Sequence, residues 1–208
     1  MCYTVYPVEV MIRDTVITKG AIPSMKKVWI GVVVVIVALI AWLVSGYNGL
    51  VQMDEQVNGQ WSQVETQLQR RNDLIPNLVN TVKGYASHEQ EAIKAVADAR
   101  ARLGGAKSVK EASEANDQMT GALSRLLMVA ENYPNLKADA NFRALQDELA
   151  GTENRIAVAR RDYNQSVQAF NAKVRTFPTS VYAGMFGFSA KDYFEASKEA
   201  QQVPKVSF

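Results

Sequence analysis

Cysteine occurs once in the 208 residues, at Cys2, and histidine once, at His88. One thiol excludes an intrachain disulfide, so the fold rests on packing. With no Cys/His cluster there is no ligand set for zinc, copper or haem, and no cofactor is expected. Nucleophilic catalysis needs a Ser or Cys beside a base and a carboxylate that orients it. His88 has only Glu89 and Glu91 close by in the chain, and residues one or two apart on a helix do not face one another. Gly104-Gly105 lacks the lysine and spacing of a phosphate-binding loop. Asp147-Glu148 is a carboxylate pair of the kind common on solvated helix faces. The chain is read as non-enzymatic, with no small-molecule substrate. Period-two alternation is scarce too: outside residues 1–24 no stretch reads as a strand.

Charge is missing from one long segment. No charged side chain occurs between Lys27 and Asp54, and residues 28–44 are apolar without interruption. As a helix this run rises about 25 Å, close to the hydrocarbon thickness of a bilayer. Residues 25–46 are therefore read as one transmembrane anchor, with Val28, Trp29, Ile36, Leu39, Trp42 and Val44 in its core. Trp29, Trp42 and Tyr47 stand near its ends, where amphipathic rings prefer the headgroup zone. The rival readings are a buried core helix, against which the preceding lysines argue, and a cleaved signal peptide. Val44-Ser45-Gly46 supplies a small-residue processing site, but the apolar region would be unusually long for one. Arg13, Lys19, Lys26 and Lys27 precede the run, and the first cation after it is Arg70. That asymmetry predicts a cytoplasmic N-terminus, with the rest of the chain outside a bacterial cytoplasmic membrane.

Four of the 23 basic and two of the 21 acidic residues precede Val44, leaving 19 of each. A neutral domain is no nucleic-acid binder by bulk charge. Residues 1–24 are bracketed by Pro7 and Pro23 and support at most a marginal strand. They are read as an unstructured extension, with Met25 as the natural start.

From Val57 onward apolar residues return at spacings of four and three: Val57, Trp61, Val64, Leu68, then Ile75, Leu78, Val82 and Tyr85. That is a heptad seam, and Arg71 lies on it. A second series runs Phe142, Leu145, Leu149, Thr152, Ile156, Ala159, Tyr163, Ser166, Phe170, Val174 and Phe177. Between them a capping box at Ser87 and Gln90 opens a helix that Gly104-Gly105 ends. Another box at Ser108 and Glu111 opens a helix facing inward through Met119, Leu123, Leu126 and Tyr133, which Pro134 ends. Lys173 and Arg175 suit the final turn of the last helix, with Pro178 beyond. The fold class is all-α: the anchor, then an up-and-down four-helix bundle of long helices over residues 47–178, because short connections make neighbours antiparallel. A first helix unbroken to Leu103 is the alternative.

Pro76 interrupts the first seam. It lacks an amide proton and crowds the carbonyl of residue 72, which kinks a helix unless packing accommodates it. Asn72 and Asp73 are placed to solvate the freed groups. An arginine near a seam needs a partner, so Arg70 or Arg71 is expected to pair with Glu148 or Glu153 on the returning helix, with Asp73 in the same polar network. In the plainer reading both arginines face solvent and Pro76 only bends the rod.

The segments YNGLV (47–51), RRNDLIPNLVNTVKGYASHE (70–89), AENYPNLKADANFRALQDELAGTENRIAVARRDYN (130–164), and FN followed by FP (170–178) resemble the LemA family. The resemblance covers nearly everything after Met25. It implies a single N-terminal anchor followed by a helical bundle, and it supplies no biochemical activity. Some relatives are associated with building intracellular membrane compartments. Residues 1–24 depart from the family pattern, and descriptions of the family favour an extracellular N-terminus where the lysines here argue the reverse.

Two roles remain. An anchored scaffold would use exposed helix faces to bind other membrane proteins or a second copy. A membrane-surface remodeller would use the aromatic tail, residues 179–208, in which a short helix is expected and Tyr182, Phe186, Phe188, Tyr193 and Phe194 are candidates for the lipid interface. The plainer reading of those rings is that they cover the open end of the bundle. Asn164-Gln165-Ser166 matches a glycosylation acceptor but falls inside a helix.

Overall fold

A computed structural model describes residues 25–195, and the readings of residues 1–24 and of the chain beyond Glu195 lie outside them. Six α-helices are found among the described residues, with no strand: α1 (Met25–Tyr85), α2 (Gln90–Gly105), α3 (Val109–Ala130), α4 (Pro134–Ala138), α5 (Ala140–Arg175) and α6 (Thr179–Ala183). A 3-10 turn, Gly184–Phe186, follows α6. The count exceeds the four long helices because α4 and α6 add five residues each; α6 falls in the tail, where a short helix is expected, and α4 is additional. The four long helices are those of the periodic seams. α3 stops at Ala130, so Pro134 does not end it; Pro134 sits in the first turn of α4, where its missing N–H leaves no bond unmade.

The chain divides into two compact units at Leu43–Val44. In the first, α1 is apolar on every side and covered by nothing: Trp29 is 68% exposed and Leu39 55%. This is the one helix among the described residues long and apolar enough to cross a membrane, and none of the qualifying stretch is buried. A core helix would be buried, so that rival reading fails here.

The second unit has its core on the two seams. On α1, Leu50, Val57, Val64, Leu68, Ile75, Leu78 and Val82 are buried; on α5, Phe142, Leu149, Ile156, Tyr163, Val167 and Phe170 are. The pairs Tyr85–Asp139, Arg70–Glu148 and Trp61–Tyr163 match rising numbers on α1 with falling numbers on α5, so the two run antiparallel. Two seam positions turn outward. Tyr85 is 44% exposed at the end of α1, and Phe177 is 78% exposed because α5 has already ended at Arg175.

α1 ends at Tyr85 and does not continue to Leu103. The Ser87–Gln90 box does not form, because Glu89 N–H bonds Ala86 O in the turn and Glu89 takes the cap position. The Glu89 carboxylate instead accepts from the Tyr133 hydroxyl at 3.0 Å. The second box forms with its return bond shifted by one residue: Ser108 Oγ accepts from Glu111 N at 3.2 Å, and Glu111 Oε2 accepts from Lys107 N, not Ser108 N, at 2.8 Å. α5 is capped by Asp139, which accepts from Phe142 N at 2.9 Å and from the Tyr85 hydroxyl at 3.0 Å. Those two bonds, the backbone one first, hold the Asp139 carboxyl below its ordinary value. A depressed carboxyl stabilises the fold at pH above its unfolded value and loses that contribution as pH falls through the folded one. Replacing Asp139 by Ala is therefore expected to lower the unfolding midpoint more at pH 7 than at pH 3, as followed by circular dichroism in urea.

Candidate functional site

The middle of the α1 seam is polar where a coiled-coil seam is ordinarily apolar. Arg71 is 4% exposed, and its Nη1 donates to Asn116 Oδ1 at 2.9 Å while Nη2 donates to Thr120 Oγ1 at 3.1 Å, both on α3. Nη1 also lies 2.7 Å from Glu153 Oε2 on α5, out of line with its N–H, so that contact is ionic and not a hydrogen bond. Burial pulls the Arg71 guanidinium below its ordinary value, and the Glu153 and Asp117 carboxylates oppose that shift. A guanidinium keeps its charge in proteins, so these groups carry the cost of desolvating it. One side chain thus ties α1, α3 and α5 together.

Arg70 points outward, 2.5 Å from Glu148 Oε1, which also lies 3.7 Å from Arg155. Asp73 is not part of this network. It sits on the exposed face of α1 and accepts from Gln69 Nε2 at 2.8 Å, because it is two positions round the helix from Arg71. Pro76 lies inside α1, and Asn72 O, four residues before it, accepts from Arg100 Nε at 3.3 Å. The carbonyl that proline deprives of an intrahelical donor is thus served by α2. The sequence pointed to Asn72 and Asp73 for that task and missed Arg100.

The segment after α6 forms a strap on α5. Asn171 brackets Lys191, accepting from its N–H at 2.8 Å and donating to its carbonyl at 2.9 Å. Asn164 brackets Phe194 in the same way, at 2.9 and 3.0 Å. The Tyr163 hydroxyl donates to Asp192 O at 2.8 Å; burial first, and the Asp192 carboxylate second, push it up to about 12. Lys191 Nζ reaches Asp54 at 2.7 Å on α1, and Ser113 Oγ on α3 donates to Glu195 O at 2.5 Å.

This strap settles the positions of the tail aromatics. Phe194 is buried against Trp61, with the Arg160 guanidinium 4.5 Å from its ring centre. Tyr182 is buried as well, over Gly46 of α1, where any side chain would strike the tyrosine hydroxyl. Both rings are buried and turned from solvent, Phe194 between Trp61 of α1 and Arg160 of α5, and Tyr182 against Gly46 of α1. Phe188 is half-buried against Phe170, whereas Phe186 and Tyr193 are 50% and 40% exposed.

Chemically the arrangement joins helices to one another: Arg71 is held by Asn116, Thr120 and Glu153, while Arg71 Nε, Asn72 Oδ1 and Asn116 Nδ2 are buried without a hydrogen bond. Two open grooves of about 1140 and 1410 Å³ flank the α2–α3 pair; His88 lines neither. Among the described residues no group of three or more His, Cys, Asp or Glu is placed to hold a metal ion. The residues that sequence reasoning missed had signals. Asn116 lies between Ala112 and Met119 at seam spacing, and Asn164 and Asn171 are seven apart on one face of α5.

Comparison with known proteins places these features in a family context. The sequence pattern describing the LemA family matches residues 60–208. Magnetosome protein MamQ 2 of Paramagnetospirillum magneticum is 27% identical over 198 positions, covering 83% of this chain and 72% of that protein. Magnetosome protein MamQ of Magnetospirillum gryphiswaldense is 26% identical over the same coverage. Protein LemA of Metamycoplasma hominis is 24% identical over 152 positions, covering 73% of this chain and 69% of its own.

Three outcomes are expected. Arg71→Met should cost about 2–4 kcal/mol in urea unfolding of the micelle-embedded chain, since it orphans the buried Asn116. Arg70→Ala should cost at most about 1 kcal/mol, the range of exposed ion pairs. Replacing Asn164 and Asn171 together by Ala should release the strap, and trypsin should then cut after Lys191 faster than in the parent chain.

Proposed function

Starting from a chain that belongs to the LemA family, we propose a membrane-anchored, non-enzymatic scaffold. It is held in the bacterial cytoplasmic membrane by residues 25–46 and carries a helical bundle on the extracytoplasmic side. The observation that carries this reading is α1 itself. One unbroken helix, Met25–Tyr85, bears both the uncovered apolar run and the buried seam from Leu50 to Val82. The four long helices act as an up-and-down bundle, with α4 and α6 as turns at its ends, and the bundle's faces bind other membrane proteins or a second copy of the chain. The lysines before the run favour a cytoplasmic N-terminus. The buried polar side chains tie α1 to α2 and α3, and that use of them supports a structural and binding role over a chemical one. The relatives' naming for the magnetosome fits a scaffold operating at a membrane.

Native membranes washed in carbonate should retain the chain. On the Cys2→Ser background, Lys107→Cys should react with an impermeant maleimide in right-side-out but not inverted vesicles. Release by carbonate, or labelling only in inverted vesicles, would overturn the anchor or its orientation respectively. Crosslinking in native membranes followed by mass spectrometry should recover bundle residues joined to another protein or to a second copy.

A further inference from the structure

The turn at the C-terminal end of α5 carries large apolar side chains on both its buried and its exposed face. Inward, Tyr182 is buried against Gly46 of α1, and Ala183 is buried beside it. Outward, Phe177 is 78% exposed, Val181 65%, Met185 82% and Phe186 50%. Val181 and Met185 are four apart and share a side of α6 and its following 3-10 turn. Large apolar side chains exposed together on one short turn mark a contact with a partner or a membrane. No charged residue occurs between Arg175 and Lys191, and cations stand at both edges: Lys173 and Arg175 before, Lys191 after.

From this ridge we infer a second membrane contact: Phe177, Val181, Met185 and Phe186 enter the boundary between headgroups and acyl chains of a bilayer. The inference rests on the anchored reading above. Two observations select lipid as the occupant. The ridge is continuous with Tyr47, whose ring centre lies 5.1 Å from that of Phe186. Tyr47 follows the apolar run by three residues in the same helix, where aromatic rings mark the headgroup level. The uncharged stretch with exposed cations at its α5 edge also has the composition of an interfacial segment on anionic lipid. A second copy suits the ridge less well, since a stable protein interface takes about 20–30 residues a side.

The full chain, Cys2→Ser with Met185→Cys, is labelled with an environment-sensitive NBD dye and reconstituted in vesicles of phosphatidylcholine and phosphatidylglycerol. Glu131→Cys, an exposed position after α3, serves as the aqueous reference. Blue-shifted emission is expected at position 185, with several-fold weaker quenching by iodide than at 131 and strong quenching by lipids brominated high in the acyl chain. Val181→Cys should behave the same way. Iodide quenching equal to that at 131 overturns the inference. Protection from both iodide and brominated lipid also overturns it, because the cover is then protein. Should the chain fail to float with the vesicles, the anchored reading falls and this inference with it. Flotation with an aqueous probe at 185 removes this inference alone.

Discussion

Two long antiparallel helices present an apolar seam that the helices packed on them are too short to cover. α5 has 36 residues and rises about 54 Å, whereas α3, with 22, rises about 33 Å and α2 less. The seam beyond the reach of the α2–α3 pair includes Leu50 and Val57 on α1 and Val167 and Phe170 on α5, all at most 1% exposed. What shields them is the chain's own continuation: α6 folds under Gly46 and Tyr47, and the strap returns along α5 until Glu195 meets the start of α3. An extended strap cannot satisfy its own backbone. Asn164 and Asn171 supply the donors and acceptors that a neighbouring β-strand would otherwise provide.

The same mismatch shows what periodicity reveals and what it hides. Both seams were legible because burial on one helix face imposes a repeat near 3.5, and the all-α class followed from it. The strap was not legible, because its contacts come from irregular backbone and leave no period. Asn164 offered only a glycosylation pattern, and its pairing with Asn171 acquires meaning once a chain is known to pass over them. The short helix α4 escaped for a related reason: five residues hold little more than one turn, too few to display a repeat. Arg71 was legible as a charge on a seam, and its acid as a carboxylate on the returning helix. Its α3 partners lay one step further, at Asn116 on a seam read only for its apolar members.

The polar interior and the proline belong to one design. Pro76 frees the carbonyl of Asn72, and Arg100 reaches it from α2, so the defect becomes a point of attachment between helices. Arg71, one residue before Asn72, does the same toward α3 and α5. The centre of α1 therefore trades apolar contact for directional bonds to each of the other three long helices within two turns, Arg70 included.

Directional bonds matter because a heptad seam is nearly indifferent to sliding by seven residues. Moved by seven in one direction, α5 would set Gln146 opposite Arg71 in place of Glu153; moved in the other, it would set Arg160 there, cation against cation. For Arg70 the replacements for Glu148 are Asn141 and Arg155. α3 slipped by seven would offer Val109 or Leu123 where Asn116 now accepts, leaving a buried guanidinium without that acceptor. Apolar burial drives the helices together at any of these offsets, and the arginines admit one. That register also brings Glu195 to Ser113 and seats Phe194 between Trp61 and Arg160. Selection of a single register at residues 70 and 71 is thus what allows the strap to close the far end of the seam.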